Sequence, residues 1–382
     1  MIVNLIGFIP EIKYKPTLVT HLNCFDEKDL LKNALAQKAT VILKFRGNEF
    51  GFSQWVSPKR TRSYPYSRVY DTFIKKNRVT IIPFVKDEGF DGDRDFIQWD
   101  TISLMSLLNV YVIIGYYCIA TKNFNFENKI TNQIFDYVYI YEQMSELVNY
   151  QSSALHWNLK QMDQLLNVAE KSQKAYAEIS KQTGVRMHSE QGITNRIKSV
   201  RKSVSEFKNL SRKLAAEAQK RELQTLQPKE SLIEGKATIT LQNFLGGFYF
   251  LTVDEFRIIG DTIFLFEKKH SDKKLIPSAN DVKDSFIKMA LFTNITDLVH
   301  DARPLNYKPI VGLTSEKIKE FCHSSMSNEE IITILSNYNN LNSKQIKTIL
   351  SYFEEARQNN FFIFLMDSNR GEFQNLAIQS LL

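Results

Sequence analysis

The sequence predicts a mixed α/β protein with more than one domain. Segments rich in aromatic and β-branched residues, the composition of strands, alternate with segments whose apolar residues keep one helical face. Hydrophobic residues make up 43% of the chain, and its length of 382 residues favours two or three domains. We predict an α/β region over residues 1–128, a helical arm over 129–227 and a second α/β domain over 228–382.

The N-terminal region alternates helices with strands. Its last strand is apolar on both faces, as the central strands of a covered sheet are. The predicted elements are a helix over Glu27–Gln37, strands over Thr40–Phe45 and Val79–Val85, a helix over Phe96–Leu108 and a strand over Val110–Cys118. This alternation predicts an α/β organisation.

Within this region, Phe50–Phe73 interleaves basic residues with tyrosines. Guanidinium groups contact phosphates and guanine edges, and aromatic rings stack on bases, so the stretch is a candidate DNA-contacting loop. Two prolines are expected to hold it extended. The alternative is a solvated basic loop whose tyrosines pack on the domain beneath. The candidate DNA-binding residues are Lys59, Arg60, Arg62, Tyr64 and Arg68.

Six acidic residues follow the strand Val79–Val85 closely. Carboxylates placed after a strand can bind a metal, so they form a rival site, although no Glu closes an EF-hand loop among them. The alternative is a structural role, in pairs with Lys86, Arg94 or the basic loop. The six acids are Asp87, Glu88, Asp91, Asp93, Asp95 and Asp100.

The pattern turns helical from Lys129 to Gln227, with long helices predicted over Ala154–Lys181 and Ile193–Leu226. The portion Lys198–Arg221 is crowded with lysine and arginine and could lie along a phosphate backbone. The alternative is the polar face of an amphipathic helix in an arm or a dimer contact. The candidate DNA-binding residues of this helix are Lys198, Arg201 and Lys202.

The C-terminal domain begins with strands and ends with helices. A Ser at an N-cap position followed by an acidic residue three positions later is a helix-start signal. The predicted elements are strands over Ala237–Phe244, Phe248–Ile259 and Thr262–Glu267, a helix over Asp281–Phe292 capped by Ser278, a strand over Pro304–Leu313, helices over Ser315–Cys322, from Ser327 and from Asn342 to Arg357, and a last strand over Phe361–Met366.

A tight hairpin organises this domain. Gly260-Asp261 is a two-residue loop signal, with Gly at the first position as a type II′ turn requires. In that register Ile259 faces Thr262, and Asp254 stands directly opposite Glu267. Directly opposite residues have Cβ atoms about 4.5–5.5 Å apart, so we expect the two carboxylates to meet.

Lys269 lies two residues beyond Glu267 and therefore on the same face of the strand. Two adjacent carboxylates repel each other unless a cation sits between them, and their oxygens suit magnesium or manganese. A metal held there could polarise a phosphoryl oxygen and activate a water, with Lys269 orienting that water. The alternative is an exposed hairpin end with solvated charges.

Asp254 and Glu267-Lys268-Lys269 match a D…ExK signature, and the passage resembles the PD-(D/E)xK nuclease superfamily. Val253 stands where the signature has proline. The resemblance implies a mixed sheet flanked by helices, with Mg²⁺, or alternatively Mn²⁺, bound by Asp254 and Glu267 and the attacking water positioned by Lys269.

Chain size and added regions make the protein look like a type II restriction endonuclease. That resemblance implies cleavage of double-stranded DNA at a short sequence, a homodimer and functional pairing with a DNA methyltransferase. The alternatives are another nuclease of the superfamily, for DNA repair or mobile elements, and a non-catalytic nucleic-acid-binding protein.

Bulk properties are compatible with these expectations. The net charge of +7 suits a polyanionic partner. Three widely separated cysteines argue against a disulfide framework and for a reducing cytoplasm. The sequence has neither a run of 18 apolar residues nor a recognisable signal peptide, so we expect a cytoplasmic protein with no membrane partner.

Overall fold

The computed structural model describes residues 3–19, 21–59, 65–150, 152–189, 191–192, 194–195, 237–242, 248–300, 303–338, 341–368 and 373–381. The described residues fall into two compact units. Those within His21–Ala216 form the N-terminal unit, and those within Met1–Thr20, Glu217–Asn243 and Phe248–Leu382 form the C-terminal unit. The first strand, β1 (Val3–Phe8), thus belongs to the C-terminal unit. The division at residues 128 and 227 stays a prediction.

Both units contain helices and mixed sheets, which confirms the mixed α/β class. The strands of the N-terminal unit are β2 (Cys24–Asp26), β3 (Thr40–Phe45), β4 (Asn48–Gln54), β5 (Asn77–Pro83), β6 (Val85–Asp87), β7 (Arg94–Phe96), β8 (Tyr111–Gly115), β9 (Tyr117–Lys122) and β10 (Ile130–Phe135). Its helices are α1 (Glu27–Leu31), α2 (Pro65–Asp71) followed by a 3₁₀ turn (Thr72–Ile74), α3 (Trp99–Leu107), α4 (Tyr137–Val148), α5 (Ala154–Asp163) and α6 (Leu165–Thr183). Five strands form its main sheet, in the order β2-β3-β4-β5-β8.

Several boundaries in this unit differ from the sequence prediction. The helix over Glu27–Gln37 ends at Leu31, and the strand over Val110–Cys118 divides into β8 and β9, which lie in different sheets. Residues 130–135 are strand rather than helix, because β10 pairs with β9 around Asn132, whose φ of +52° interrupts a helix.

Two further corrections concern predicted continuous segments. The helix over Ala154–Lys181 breaks at Gln164 into α5 and α6. The Phe50–Phe73 stretch is not extended throughout, since Pro65 opens α2; the fixed φ of proline suits a first helical turn. Apart from residues 194 and 195, the helix predicted over Ile193–Leu226 lies outside the described residues.

The C-terminal unit holds two five-stranded sheets, in the orders β12-β11-β1-β15-β16 and β13-β14-β17-β19-β18. Its further strands are β11 (Ala237–Gln242), β12 (Phe248–Val253), β13 (Glu255–Ile259), β14 (Thr262–Ser271), β15 (Thr296–His300), β16 (Arg303–Pro304), β17 (Asn306–Ser315), β18 (Cys322–His323) and β19 (Phe362–Asp367). Its helices are α7 (Ala279–Phe292), α8 (Asn328–Thr333) continued by a π-helical turn (Ile334–Tyr338), α9 (Ser343–Gln358) and α10 (Phe373–Gln379).

The second of these sheets is built on three parallel strands. β14 pairs with β17 and β17 pairs with β19 in parallel, while β13 and β18 run antiparallel at the two edges. The centre is dry and aromatic, with Phe264, Phe266, Ile310, Phe364 and Met366 in one buried cluster. Strands apolar on both faces are typical of parallel sheets, and Glu267 in the middle of β14 is a charged exception.

Helix caps in this unit confirm the predicted starts. The hydroxyl of Ser278 accepts from the Asp281 N–H, and Ser327 and Asn342 form capping boxes at α8 and α9. The helix predicted over Ser315–Cys322 is wrong, because Ser315 ends β17 and Cys322 pairs with β19. No helix in the described part of the chain is both long enough and apolar enough to span a membrane.

Candidate active site

The β13–β14 hairpin has the register that the sequence predicts. Ile259 pairs with Thr262, and the ladder continues in step to Glu255 opposite Phe266. Gly260 has a φ of +62°, the positive value that the first loop position of a II′ turn requires. The turn chemistry therefore sets which residues of the two strands stand side by side.

The predicted single strand over Phe248–Ile259 divides into two at Asp254. β12 ends at Val253 and belongs to one sheet, whereas β13 begins at Glu255 and belongs to the other. Asp254 lies in the bend between them, where its Oδ2 atom accepts a hydrogen bond of 2.8 Å from the backbone N–H of Lys268. This bond holds the Asp254 carboxylate against β14, one residue from Glu267.

Glu267 is the electrostatic centre of the site. It lies on β14 beside Val311 of β17, and its side chain is completely buried. Its Oε1 atom lies 3.0 Å from the Nζ atom of Lys269, and its Oε2 atom lies 2.7 Å from the Nζ atom of Lys288. A buried carboxylate is stable only when charged or hydrogen-bonding partners compensate it, and here two ammonium groups do so.

Lys288 is a member of the site that the sequence reasoning missed. It lies on α7 and is mostly buried, and its ammonium group also donates a hydrogen bond to Glu267. The signal was a single lysine inside the apolar run Phe286–Phe292, whose neighbours Ile287 and Met289 are buried. A lysine among buried positions indicates a carboxylate partner.

Lys268 stands apart from this group although it lies between Glu267 and Lys269. Its Nζ atom lies 2.6 Å from the Glu255 carboxylate. The period of two along β14 places its side chain on the other face of the sheet, so only its backbone N–H serves the site. Lys268 is therefore a natural control for Lys269.

The two carboxylates differ in proton affinity. Burial raises the pKa of Asp254 to about 6 from its ordinary value of 3.8, and the negative charge of Glu267 raises it too. Burial would also raise the pKa of Glu267, but the ammonium groups of Lys288 and Lys269 hold that pKa below its ordinary value. One carboxylate is thus ionised throughout the neutral range, and the other titrates just below it.

The donor set fits a hard divalent cation. Asp254 and Glu267 offer carboxylate oxygens, the ligands that Mg²⁺ and Mn²⁺ prefer. Burial is the main cause of the raised pKa of Asp254 and the charge of Glu267 adds to it, so a cation beside the two carboxylates would favour the ionised form of Asp254. A cation between them would replace a lysine contact at Glu267. Within the described residues, no group of three or more His, Cys, Asp and Glu side chains forms a metal-binding cluster.

The predicted DNA-contacting residues lie in the N-terminal unit or outside the described residues. The Nζ atom of Lys59 lies 2.6 Å from buried Asp95. Arg68, on α2, donates a 2.6 Å hydrogen bond to the Gln54 carbonyl, and burial lowers its pKa. Both side chains therefore make contacts within their own unit. Arg60, Arg62, Tyr64, Lys198, Arg201 and Lys202 lie outside the described residues.

The acidic cluster after β5 divides among separate partners. Asp87 lies 2.8 Å from the Nδ1 atom of His188, whereas Glu88 pairs with Lys86 at 2.7 Å. Asp95 pairs with Lys59 and accepts from the Ser57 hydroxyl at 3.0 Å. These contacts favour the structural alternative for these acids.

Comparison with known proteins returned no relative. No family model matches the chain, and neither a curated protein nor a solved structure matches it significantly.

Proposed function

We propose that the protein is a metal-dependent endonuclease that hydrolyses phosphodiester bonds of double-stranded DNA at a specific short sequence. The observation that carries this proposal is that the Lys268 N–H holds the Asp254 carboxylate beside Glu267, whose own carboxylate contacts Lys269 and Lys288. The mixed sheet beneath them, with its antiparallel hairpin, helix α7 and parallel strand β17, supports a PD-(D/E)xK-type fold.

Asp254 and Glu267 would hold Mg²⁺, or Mn²⁺ in its place. The bound ion supplies a Lewis acid for the phosphoryl oxygen and lowers the pKa of a water molecule. The Lys268 N–H keeps the Asp254 carboxylate fixed by a 2.8 Å bond, so that its second oxygen is oriented without movement of the backbone.

Lys269 would orient the attacking water. Its ammonium group lies 3.0 Å from Glu267 and is about one-quarter exposed, so it can turn toward a substrate phosphate while staying close to the site. Lys288 is more deeply placed and binds the other Glu267 oxygen at 2.7 Å. Lys288 would therefore keep Glu267 ionised while Lys269 serves the substrate.

The partners follow from the activity. Double-stranded DNA is the substrate, and a homodimer would allow both strands to be cut. A DNA methyltransferase would protect the host sequence in a type II restriction system. The predicted basic segments would contribute phosphate contacts, whereas the contacts of Lys59 with Asp95 and of Arg68 with the Gln54 carbonyl favour a structural role for those two side chains.

Two alternative functions would involve the same residues. Another nuclease of DNA repair or of mobile elements would use the same site without a fixed recognition sequence. A non-catalytic nucleic-acid-binding protein would use the basic segments alone, with Asp254 and Glu267 serving only to pair with Lys288 and Lys269.

Plasmid cleavage tests the proposal. The protein is incubated with supercoiled plasmid and Mg²⁺, together with variants Asp254→Ala and Lys269→Ala. We expect discrete fragments from the unmodified protein and a loss of about 100-fold or more in both variants, because each removes a group that acts on the reacting phosphate or water.

Two matched variants serve as controls. Lys268→Ala removes the neighbouring ammonium on the opposite face, and Asp297→Asn neutralises an exposed carboxylate of the same unit. Both should cut at nearly the unmodified rate. Random degradation would favour a repair or mobile-element nuclease, and DNA binding without cleavage in any divalent metal would favour the non-catalytic alternative. Unchanged cutting by Asp254→Ala, with loss in Asp93→Ala, would move the site to the N-terminal acids.

A further inference from the structure

A cavity with lysines at its rim lies at the carboxyl ends of the parallel strands β14 and β17. It has a volume of about 600 Å³. Lys273 and Lys274 border it just beyond the end of β14, and Lys317 borders it just beyond the end of β17. Crevices outside the carboxyl ends of parallel strands are where α/β sheets commonly bind ligands.

The charge of this cavity is positive. Three lysines border it, and no Asp or Glu is among its described lining residues. The Nζ atom of Lys317 donates a 2.6 Å hydrogen bond to the Lys273 carbonyl, which anchors this ammonium group at the rim. An ammonium carries three donors, so that one bond leaves it able to contact a ligand.

The N-terminus of α7 opens into the same cavity through Ser278 and Ala279. The Ser278 hydroxyl caps the Asp281 N–H, whereas the first-turn N–H groups before it have no partner within a helix. The partial positive charge of a 14-residue helix adds to the charge of the lysines there, and the Asp281 carboxylate of the first turn, which accepts a 2.6 Å hydrogen bond from the Ser278 hydroxyl, offsets part of it.

Tyr352 of α9 provides an independent indication of a ligand. Its side chain lines the cavity and is only 3% exposed, and no described residue forms a hydrogen bond with its hydroxyl. A nearly buried side chain whose hydroxyl has no partner among the described residues can donate the hydrogen bond of that hydroxyl to a ligand in the cavity. Burial also raises the pKa of Tyr352 to about 12, so the hydroxyl remains a donor at neutral pH.

We propose that this cavity is a phosphate-binding site, with Lys273, Lys274, Lys317, the α7 N-terminus and the Tyr352 hydroxyl as its donors. A cavity of this size, bordered by three lysines and with no carboxylate among its described lining residues, is complementary to a phosphate group. The group would come either from a small phosphomonoester or from the backbone of DNA. The site does not depend on the nuclease proposal, since it shares no residue with the Asp254–Glu267 pair.

Thermal unfolding in orthophosphate tests the site, with KCl of equal ionic strength as reference. A ligand that binds only the folded protein raises its melting temperature with concentration. We expect such a rise, and we expect Tyr352→Phe and Lys274→Gln to weaken the apparent affinity for orthophosphate about tenfold, as loss of a charge-assisted hydrogen bond does. Lys347→Gln, which removes an exposed lysine of α9 outside the cavity, should respond like the unmodified protein.

Tyr352→Phe also separates binding from folding. Because its hydroxyl has no partner among the described residues, the melting temperature without phosphate should stay unchanged. A fall of several degrees without phosphate would assign the hydroxyl a structural role and overturn the proposal. A phosphate response no larger than that of KCl, or one equal in Tyr352→Phe and the unmodified protein, would overturn it too.

Duplex binding identifies the source of the phosphate. With Ca²⁺ in place of Mg²⁺, Lys274→Gln should lower the affinity for a short duplex and reduce its salt slope by about 1 if the site holds a DNA phosphate. If Lys274→Gln leaves the salt slope of duplex binding unchanged but loses the response to orthophosphate, the ligand of the site is a small phosphomonoester. If the protein neither cuts nor binds DNA, the orthophosphate response still stands, so the two proposals fail separately.

Discussion

Replacing Asp254 with asparagine should stabilise the protein, and the gain should grow with pH. The Asp254 pKa is raised from 3.8 to about 6, so the folded chain disfavours its ionised form. The protonated form of Asp254 contributes its whole share of the free energy of unfolding below about pH 4, and this contribution is lost as the pH rises through about 6. The rise of the Asp254 pKa from 3.8 to about 6 corresponds to a loss of about 3 kcal/mol at most.

Asp254→Asn removes the free-energy cost of ionising this side chain in the folded protein, because an amide does not ionise. The amide oxygen can still accept the hydrogen bond from the Lys268 N–H. Urea unfolding should show a gain of under about 1 kcal/mol near pH 4 and about 3 kcal/mol near pH 8. The exposed Asp297→Asn should show no such trend. A loss of stability in Asp254→Asn at about pH 8, or a gain independent of pH, would refute the electrostatic reasoning.

Three other substitutions test the surroundings of the site. Lys288→Met should lower the free energy of unfolding by about 2 kcal/mol, because buried Glu267 keeps only one ammonium partner; an unchanged urea midpoint would contradict the pairing. Gly260→Ala should cost about 1 kcal/mol at its φ of +62°, measured by thermal unfolding, and a neutral result would contradict the turn. Asp95→Asn should destabilise by about 2 kcal/mol while the cleavage rate of the folded protein stays unchanged; selective loss of cleavage would reinstate the acidic cluster.

Local chemistry explains what the sequence could predict. The Gly260-Asp261 turn specifies a hairpin through its own backbone preference, so its register followed from two residues. The caps at Ser278, Ser327 and Asn342 are equally local. The meeting of Glu267 and Lys269 needed only that register and the alternation of side chains along a strand.

Tertiary context explains what the sequence could not predict. Residues on both sides of Asp254 have the same strand-like composition, and only the two sheets that receive them make the chain bend there. Lys288 joins the site because α7 packs over β14, a relation that periodicity alone does not specify. In the same way, the acids after β5 look like one cluster in sequence but find separate partners among Lys59, Lys86 and His188.

Binding of Mn²⁺ to the full chain, followed by electron paramagnetic resonance, tests the central role of the carboxylate pair most directly. We expect the unmodified protein to bind the ion at about pH 8 and to lose affinity near pH 5, because the ion competes with the proton of Asp254. Asp254→Asn should bind at least about tenfold more weakly, as expected on loss of a charged ligand, while Asp297→Asn should bind like the unmodified protein. Equal binding in all three proteins, or no binding in any, would contradict a cation site at Asp254 and Glu267.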